Sequence, residues 1–399
     1  MSRPVIIAAG GTGGHVVPAL AVAEELARRE VPVLWLGTRN GLEARMVPAA
    51  GFDIRWIDVA ALRGQNLLRT FMAPLRLLRS CWQSARVLRE VDARAVLGMG
   101  GFVSGPAGVA ALLSRRPLVL HEQNAIAGMT NRYLARFATR VFAAWPAVFP
   151  DSVAAEVVGN PVRESMARRV IGSDAATGAA EARSVDGAGS DAATAADTPS
   201  VDGAVPATGN VTSASRDVNR SDRLKILVVG GSLGAKVLND TMPEVFARLD
   251  GVAECWHQCG AGNGETVRAR YAATVPDAEV RVDDFIDDMA AAYAWADLVV
   301  CRAGAMTVTE LAALGKASIL VPYPHAVDDH QYANARHLAD AGAAIVVRQA
   351  ELQADTLAGT ITELAGDREK LGAMQLAAAT RFSPDAARRV AEALLEVAH

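Results

Sequence analysis

The chain has 399 residues, 51% of them hydrophobic and 21% charged, with a formal net charge of −4. That length suits two domains of ~100–200 residues, or three, and the apolar content excludes global disorder. The slightly acidic balance excludes a general pull toward nucleic acid, so any basic site must be local. Cys81, Cys255, Cys259 and Cys301 are scattered, as suits a reducing compartment. The CxxxC of Cys255 and Cys259, with His257 between, lacks a second ligand pair, so no metal site is expected there. The N-terminus runs straight into the strand-like Pro4–Ala9, which is too short for a secretion signal. No apolar run reaches the ~18–20 residues that span a bilayer. A soluble protein, or one bound only to a membrane surface, is expected.

In chain order, the first strand-like run, VIIAA, meets the glycine cluster GGTGGH at Gly10–His15 and then an amphipathic helical pattern. Such a turn brings backbone N–H groups and a helix N-terminus toward an anion, or serves only as a tight turn needing positive φ. It lacks the Lys-Ser/Thr of a P-loop and does not fit GxGxxG. His15 closes it, as a helix-end residue or as a base at the strand edge.

Strand-like runs follow at Val33–Leu36, Ala95–Leu97, Leu118–Leu120 and Arg140–Ala143. Between the first two, Asn66–Glu90 carries Arg69, Arg76, Arg79, Arg86 and Arg89 against one acid, Glu90. Arg69, Arg76, Arg79 and Arg86 fall on about a 100° arc of a helix. Leu68, Phe71, Met72, Leu75, Leu78 and Trp82 add apolar area, and Pro74 kinks the helix or marks its start. It reads either as a domain helix with one solvated face or as a contact with anionic lipid. GMGGFVSGP at Gly98–Pro106 is another strand-to-helix turn. HEQN at His121–Asn124 ends a buried strand where ligands bind in such sheets. Glu122 suits a hydrogen-bonded cluster that holds the loop, and Asn124, which donates and accepts, suits a ligand. In GNPVR, Arg163 neutralises a phosphate or forms an ion pair.

The segment 172–222 breaks the pattern. It has no aromatic residue, Leu or Lys, and it repeats GSDAAT and SVDGA. It cannot bury enough apolar area to offset its chain entropy, so it reads as a disordered insertion without chemistry. Removing it leaves 1–171 and 223–399, and each begins in the same way. The second opens KILVVGGSLGA, with its glycine turn at Gly230–Ala235, and repeats strand-like runs at Val252–His257, Leu298–Cys301, Ser318–Val321 and Ala344–Val347. Continuous apolar runs separated by helical patterns indicate two doubly wound parallel α/β domains, with ligands in crevices at the strand C-termini. The last helix is free to pack back on the first domain.

In the second half, DDFIDDM at Asp283–Met289 reads as a loop whose backbone meets a flat base, with acids favoured at a helix start. In CRAGAMTVTE, small residues let a ligand approach a helix N-terminus, and Glu310 either accepts from vicinal hydroxyls or stabilises the helix. Asp328, His330 and Gln331 are polar at the same sheet edge. The spacing of His325 and His330 with these acids is too irregular for a metal.

These motifs, in this order, resemble the bacterial peptidoglycan N-acetylglucosaminyltransferase family, whose fold is GT-B: two Rossmann-like domains facing across a cleft. The resemblance covers nearly the whole chain outside 172–222. It implies transfer of GlcNAc from UDP-GlcNAc to the C4 hydroxyl of MurNAc in lipid I, giving lipid II, with inversion. It places the enzyme at the cytoplasmic face of the inner membrane, with other cell-wall synthesis and division proteins as candidate partners. It assigns Ser232 to the diphosphate, the Ile286 backbone to uracil and Glu310 to ribose. Ala305, Met306, Thr307, Val308, Thr309 and Gln331 complete the donor pocket, and Thr12, Gly13, Gly14, Asn124 and Arg163 reach the donor across the cleft. His15, Glu122 and the turn of Gly100, Gly101, Phe102 and Ser104 fall on the acceptor side. His15 is the expected base and Glu122 its rival; no cofactor and no divalent cation is expected to be required. Phe102 stands where many relatives have Tyr, and Leu233 where Gln is common. The acceptor's polyprenyl chain favours the lipid reading of Asn66–Glu90. The competing classes are another GT-B enzyme acting on a UDP-sugar, such as a 2-epimerase, and a non-catalytic nucleotide-sugar-binding subunit.

Overall fold

The computed structural model describes residues 3–59, 73–163, 223–231, 234–276 and 279–398. Ser232, Leu233, Arg69 and the insertion 172–222 lie outside them.

The first domain alternates strand and helix: β1 Val5–Ala8, α1 Gly13–Arg28, β2 Val33–Gly37, α2 Glu43–Ala49, β3 Asp53–Trp56, α3 Ala73–Glu90, β4 Ala95–Gly98, α4 Gly101–Leu113, β5 Leu118–Glu122, α5 Met129–Leu134, β6 Arg140–Ala143 and β7 Ala155–Val157. The second continues with β8 Leu224–Val229, α6 Lys236–Phe246, β9 Ala253–Gln258, α7 Gly264–Thr274, β10 Val280–Asp283, α8 Met289–Trp295, β11 Leu298–Cys301, α9 Ala305–Ala313, β12 Ala317–Leu320, α10 His330–Ala339 and β13 Ala344–Val346. It closes with α11 Ala354–Gly366, α12 Arg368–Ala379 and α13 Ala386–Glu396.

The sheets run β3-β2-β1-β4-β5-β6-β7 and β10-β9-β8-β11-β12-β13, and the neighbouring strands pair in parallel. In each, the order reverses once: between β1 and β4, and between β8 and β11. At such a switch point neighbouring connections leave to opposite faces and open a crevice. GGTGGH and GMGGFVSGP flank the first crevice; GGSLGA and CRAGAMTVTE flank the second. This is the α/β GT-B architecture, two Rossmann-like domains.

Interior strands such as Val5–Ala8, Ala95–Gly98 and Leu298–Cys301 are buried on both faces, which is why they read as unbroken apolar runs. The strands absent from the sequence reading are β3, β7 and β10, all at sheet edges. Asp53–Trp56 alternates exposed and half-buried residues, so it carries no such run. Pro74 falls at the start of α3, where its missing N–H has no helical acceptor to serve.

The two domains exchange elements. Helix α13 packs on α1, and its Val390, Ala391 and Leu394 are buried in the first domain's core. Glu392 pairs with Arg29 at 3.1 Å and Glu396 with Arg140 at 3.3 Å. In return, Ala144 and Trp145 of the first domain join the second domain's core. The Trp145 ring lies 3.9 Å from that of His337 on α10.

Candidate active site

The first glycine turn is built around a carboxylate that sequence reasoning missed. Glu43, the first residue of α2, is fully buried. One oxygen accepts from the Gly11 amide at 2.9 Å, the other from Thr38 N at 2.9 Å and Thr38 Oγ1 at 2.7 Å. Thr12 caps α1 through its carbonyl, and its hydroxyl lies 3.2 Å from Nδ1 of His15. Gly13 and Gly14 form the helix's open first turn, half-buried beside it.

The GMGGF turn packs directly on this one. A Cβ at Gly101 (φ +78°) would stand 2.2 Å from the Gly10 carbonyl oxygen, and one at Gly100 (φ +89°) 2.7 Å from the His15 ring. Only glycine permits both the backbone conformation and the approach. Ser104 is buried, and its hydroxyl donates to the carbonyls of Ala8 and Gly100, each at 2.7 Å. Its side chain is spent within the fold. Phe102 is exposed beside it.

His15 is half-buried with a lowered pKa. Burial is the main cause and His330 of α10, facing it across the cleft, adds to it; Glu122, the Gly10 carbonyl and Glu43 act the other way. Burial thus favours the neutral imidazole, the form that can take a proton.

Glu122 is buried and its oxygens are occupied. Oε1 accepts from Asn124 N and Nδ2, each at 3.1 Å; Oε2 accepts from Gly128 N at 3.1 Å and Asn131 Nδ2 at 2.9 Å. It shapes the loop that carries Asn124. Asn124 is held from the other domain as well, because Nδ2 of Asn334 donates to its Oδ1 at 3.3 Å. Asn334, also missed from sequence, further donates to Ala303 O at 3.2 Å and accepts from Ala125 N at 2.8 Å. A second link joins Asn160 Nδ2 to Thr309 Oγ1 at 2.9 Å. Arg163 stands 3.3 Å from Glu24 of α1, which realises the ion-pair alternative for that residue.

The second glycine turn has an uncharged clamp. Gln258, at the end of β9, accepts from the Gly231 amide at 3.0 Å and donates to the carbonyls of Gly231 and Asp284, each at 3.0 Å. Gly234 (φ +75°) lies so close to Cys259 that a Cβ would meet its carbonyl oxygen at 2.1 Å. Beside this turn, Ile286 buries its side chain in the core, and Asp288 caps α8 by accepting from Ala291 N at 3.0 Å.

On α9, Ala305, Met306, Val308 and Thr309 are buried, whereas Thr307 and Glu310 are half-buried. A ligand at this helix would meet backbone near Ala305 and the side chains of Thr307 and Glu310. Glu310 accepts from Tyr293 Oη at 3.1 Å, and burial pushes its pKa up to about 7. Gln331 is occupied by the Tyr323 amide at 3.0 Å. Before α10, Asp328 and Asp329 adopt left-handed φ of 53° and 52°, and Asp329 pairs with Arg348 at 3.1 Å.

On the outer side of the first domain, α3 turns Ser80, Ser84 and Leu88 inward against α4. It leaves Leu75 (64% exposed), Leu78 (66%) and Trp82 (61%) outward. Arg76 is exposed beside them; Arg79 and Arg86 reach Asp58 at 3.0 Å and Glu90 at 2.6 Å. No helix among the described residues is long and apolar enough to cross a membrane.

Two switch-point crevices, each beside a helix N-terminus and bridged between the domains by Asn334 and Asn124, make up a GT-B architecture. Residues 5–143 match the glycosyltransferase family 28 N-terminal domain and residues 225–390 the family 28 C-terminal domain, and the chain belongs to this family. A relative from Shewanella amazonensis is 48% identical over 99% of this chain and 98% of its own length. One from Shewanella denitrificans is 47% identical over 100% and 98%. Both are UDP-N-acetylglucosamine–N-acetylmuramyl-(pentapeptide) pyrophosphoryl-undecaprenol N-acetylglucosamine transferases. The crystal structure of Acinetobacter baumannii MurG superposes with a TM-score of 0.74 at 35% identity, covering 99% of both chains. The UDP-GlcNAc 2-epimerase from Neisseria meningitidis reaches 0.62 at 12% identity over 99% of this chain and 100% of its own, a likeness of fold alone.

Proposed function

We propose that this enzyme transfers GlcNAc from UDP-GlcNAc to the C4 hydroxyl of MurNAc in undecaprenyl-pyrophosphoryl-MurNAc-pentapeptide, lipid I, giving lipid II. The observation that carries this reading is the pairing of His15, held beside Thr12 at the first switch point, with a glycine turn that has an uncharged clamp at the second. The near full-length identity to transferases of that specificity supports the choice of substrates.

Donor UDP lies against the second domain. The amides of the turn containing Ser232 and the N-terminus of α9 meet the diphosphate, the backbone at Ile286 meets uracil, and Glu310 accepts from the ribose hydroxyls. Met306, Thr307, Val308 and Gln331 border the pocket through α9 and the Tyr323 loop. Thr12, Gly13, Gly14 and Asn124 approach from the other side, and Arg163 lends positive charge if donor draws it from Glu24. The acceptor enters beside Gly100, Gly101 and Phe102. His15 takes the C4 proton as that oxygen forms its bond to the anomeric carbon on the face opposite UDP; the C–O bond to UDP breaks and the configuration inverts. Glu122 is the weaker candidate for base, since four donors already hold its oxygens. Helix ends and turn amides stabilise the departing diphosphate, so no divalent cation is required.

The exposed Leu75, Leu78 and Trp82 among Arg76, Arg79 and Arg86 dock the enzyme on the anionic cytoplasmic face of the membrane, where the acceptor's lipid resides. Residues 172–222 carry no chemistry.

Purified protein given UDP-GlcNAc and a lipid I analogue, with EDTA present, should release UDP and yield the disaccharide product by mass spectrometry. Hydrolysis or epimerisation of the donor without transfer would overturn the assignment. Replacing Arg76, Arg79 and Arg86 with Gln should weaken sedimentation with phosphatidylglycerol vesicles; unchanged binding would remove the patch from the reading. Deleting 172–222 should leave activity within about twofold.

A further inference from the structure

Glu43 is fully buried behind the first glycine turn, and three glycines are arranged around it. A Cβ at Gly10 would lie 2.7 Å from its carboxylate, one at Gly37 2.8 Å from its Cγ, and one at Gly41 2.1 Å from the carboxylate. Those glycines come from the first turn, the end of β2 and the loop before α2. A buried carboxylate is costly unless its lone pairs are met. Here the Gly11 amide, the Thr38 amide and the Thr38 hydroxyl meet them.

We propose that Glu43 is a positioning residue for the transfer reaction, fixing the first glycine turn and, through it, the ring of His15. The inference rests on the assignment of His15 as base. The linkage is short: Glu43 holds Gly11, and that peptide's neighbours, the Gly10 carbonyl and Thr12, are the groups that flank the His15 ring. The carboxylate also acts at a distance. The charged and titratable groups facing His15 are Glu122 at the end of β5, His330 on α10 and Glu43 on α2, and the two acids favour a protonated ring. Removing the charge of Glu43 makes His15 a weaker base as well as a less firmly held one.

The test is Glu43→Gln beside Thr38→Val. Glu43→Gln keeps the size of the side chain but loses the charge and, because its amide cannot accept, at least one of the three hydrogen bonds. Thr38→Val loses one hydrogen bond and keeps the charge. Glu43→Gln should lower kcat about tenfold with donor KM within about twofold, and move the acid limb of the kcat profile to lower pH. Thr38→Val should lower kcat less and leave the limb in place. His15 ring signals, followed by NMR against pH without substrates, should titrate lower in Glu43→Gln than in the parent. Unchanged kcat and titration in Glu43→Gln would overturn the proposal, as would a parallel loss of kcat and donor affinity with no shift in His15. If Glu43→Gln does not fold, an unaltered kcat in Thr38→Val overturns it. A parent enzyme that shows no transfer would instead overturn the assignment of function, while the NMR titration would still report on the coupling of Glu43 to His15.

Discussion

The two glycine turns occupy equivalent switch points of two similar sheets, yet their amides are spent differently. At Gly11 the partner is the buried carboxylate of Glu43; at Gly231 it is the neutral amide of Gln258. A carboxylate behind a turn repels an anion that approaches its front, and a carboxamide does not. The duplicated backbone therefore does not imply a duplicated role. The first turn suits a frame for an acid–base residue, and the clamp of the second sets no fixed negative charge against a diphosphate. Fold similarity between the halves fixes where ligands meet the chain; the carboxylate in one clamp and the carboxamide in the other differ in charge, not in place.

The largest expected effect separates the turns by chemistry. His15→Ala should lower kcat by about 10²–10⁴-fold, the usual worth of a general base, while UDP affinity by calorimetry stays within about threefold. A nearly intact kcat would show that His15 is not the base, and the contrast between the turns would lose its catalytic half.

A smaller effect separates them by strain. Gly101 and Gly234 share a positive φ and a carbonyl oxygen at about 2 Å from where a Cβ would sit. Alanine at either position costs roughly 1–3 kcal/mol for the positive φ alone, and the carbonyl clash adds to it. Gly101→Ala should act mainly on kcat, because Gly101 abuts the turn that holds His15. Gly234→Ala should act mainly on donor KM, each by about tenfold. Steady-state kinetics with the donor varied would break the comparison if both variants failed in the same parameter.

What could be read from the sequence follows from how each feature is encoded. Interior strands such as Ile6–Ala8 and Val299–Cys301 are buried on both faces and left unbroken apolar runs; the edges at Asp53–Trp56, Ala155–Val157 and Val280–Asp283 are shorter or alternating and did not. The switch-point motifs were legible because glycine clusters follow apolar runs at matching places in both halves, where a single one is ambiguous. Glu43, Gln258 and Asn334 were not, because each is a lone polar residue whose partners come from elsewhere in the fold. Glu43 did leave one trace: Gly37 and Gly41 bracket the approach to an acid at a helix start, with a hydroxyl between them. Ser104 shows the converse, since its place in a motif suggested a ligand contact and its hydroxyl serves the Ala8 and Gly100 carbonyls.

The smallest expected effect compares the carboxylates that serve the two halves. Glu43 has three donors; Glu310 has one, the Tyr293 hydroxyl, among the described residues. With so little compensation, burial holds the Glu310 pKa at about 7, above its ordinary 4.5. The folded chain then binds that proton more tightly than the unfolded chain does. Stability therefore falls as pH rises from 4.5 toward 7, and the loss is complete above 7. Glu310→Gln cannot ionise, and its amide oxygen can still accept from Tyr293. In the absence of donor it should melt about 2–4 °C above the parent at pH 8.5, with the gap closing toward pH 5. The same substitution should weaken UDP binding, because an ionised Glu310 accepts from ribose hydroxyls more strongly than an amide does. A gap that is constant with pH would mean that Glu310 is already ionised at low pH, and that the donor side, like the first turn, is built on a fully compensated carboxylate.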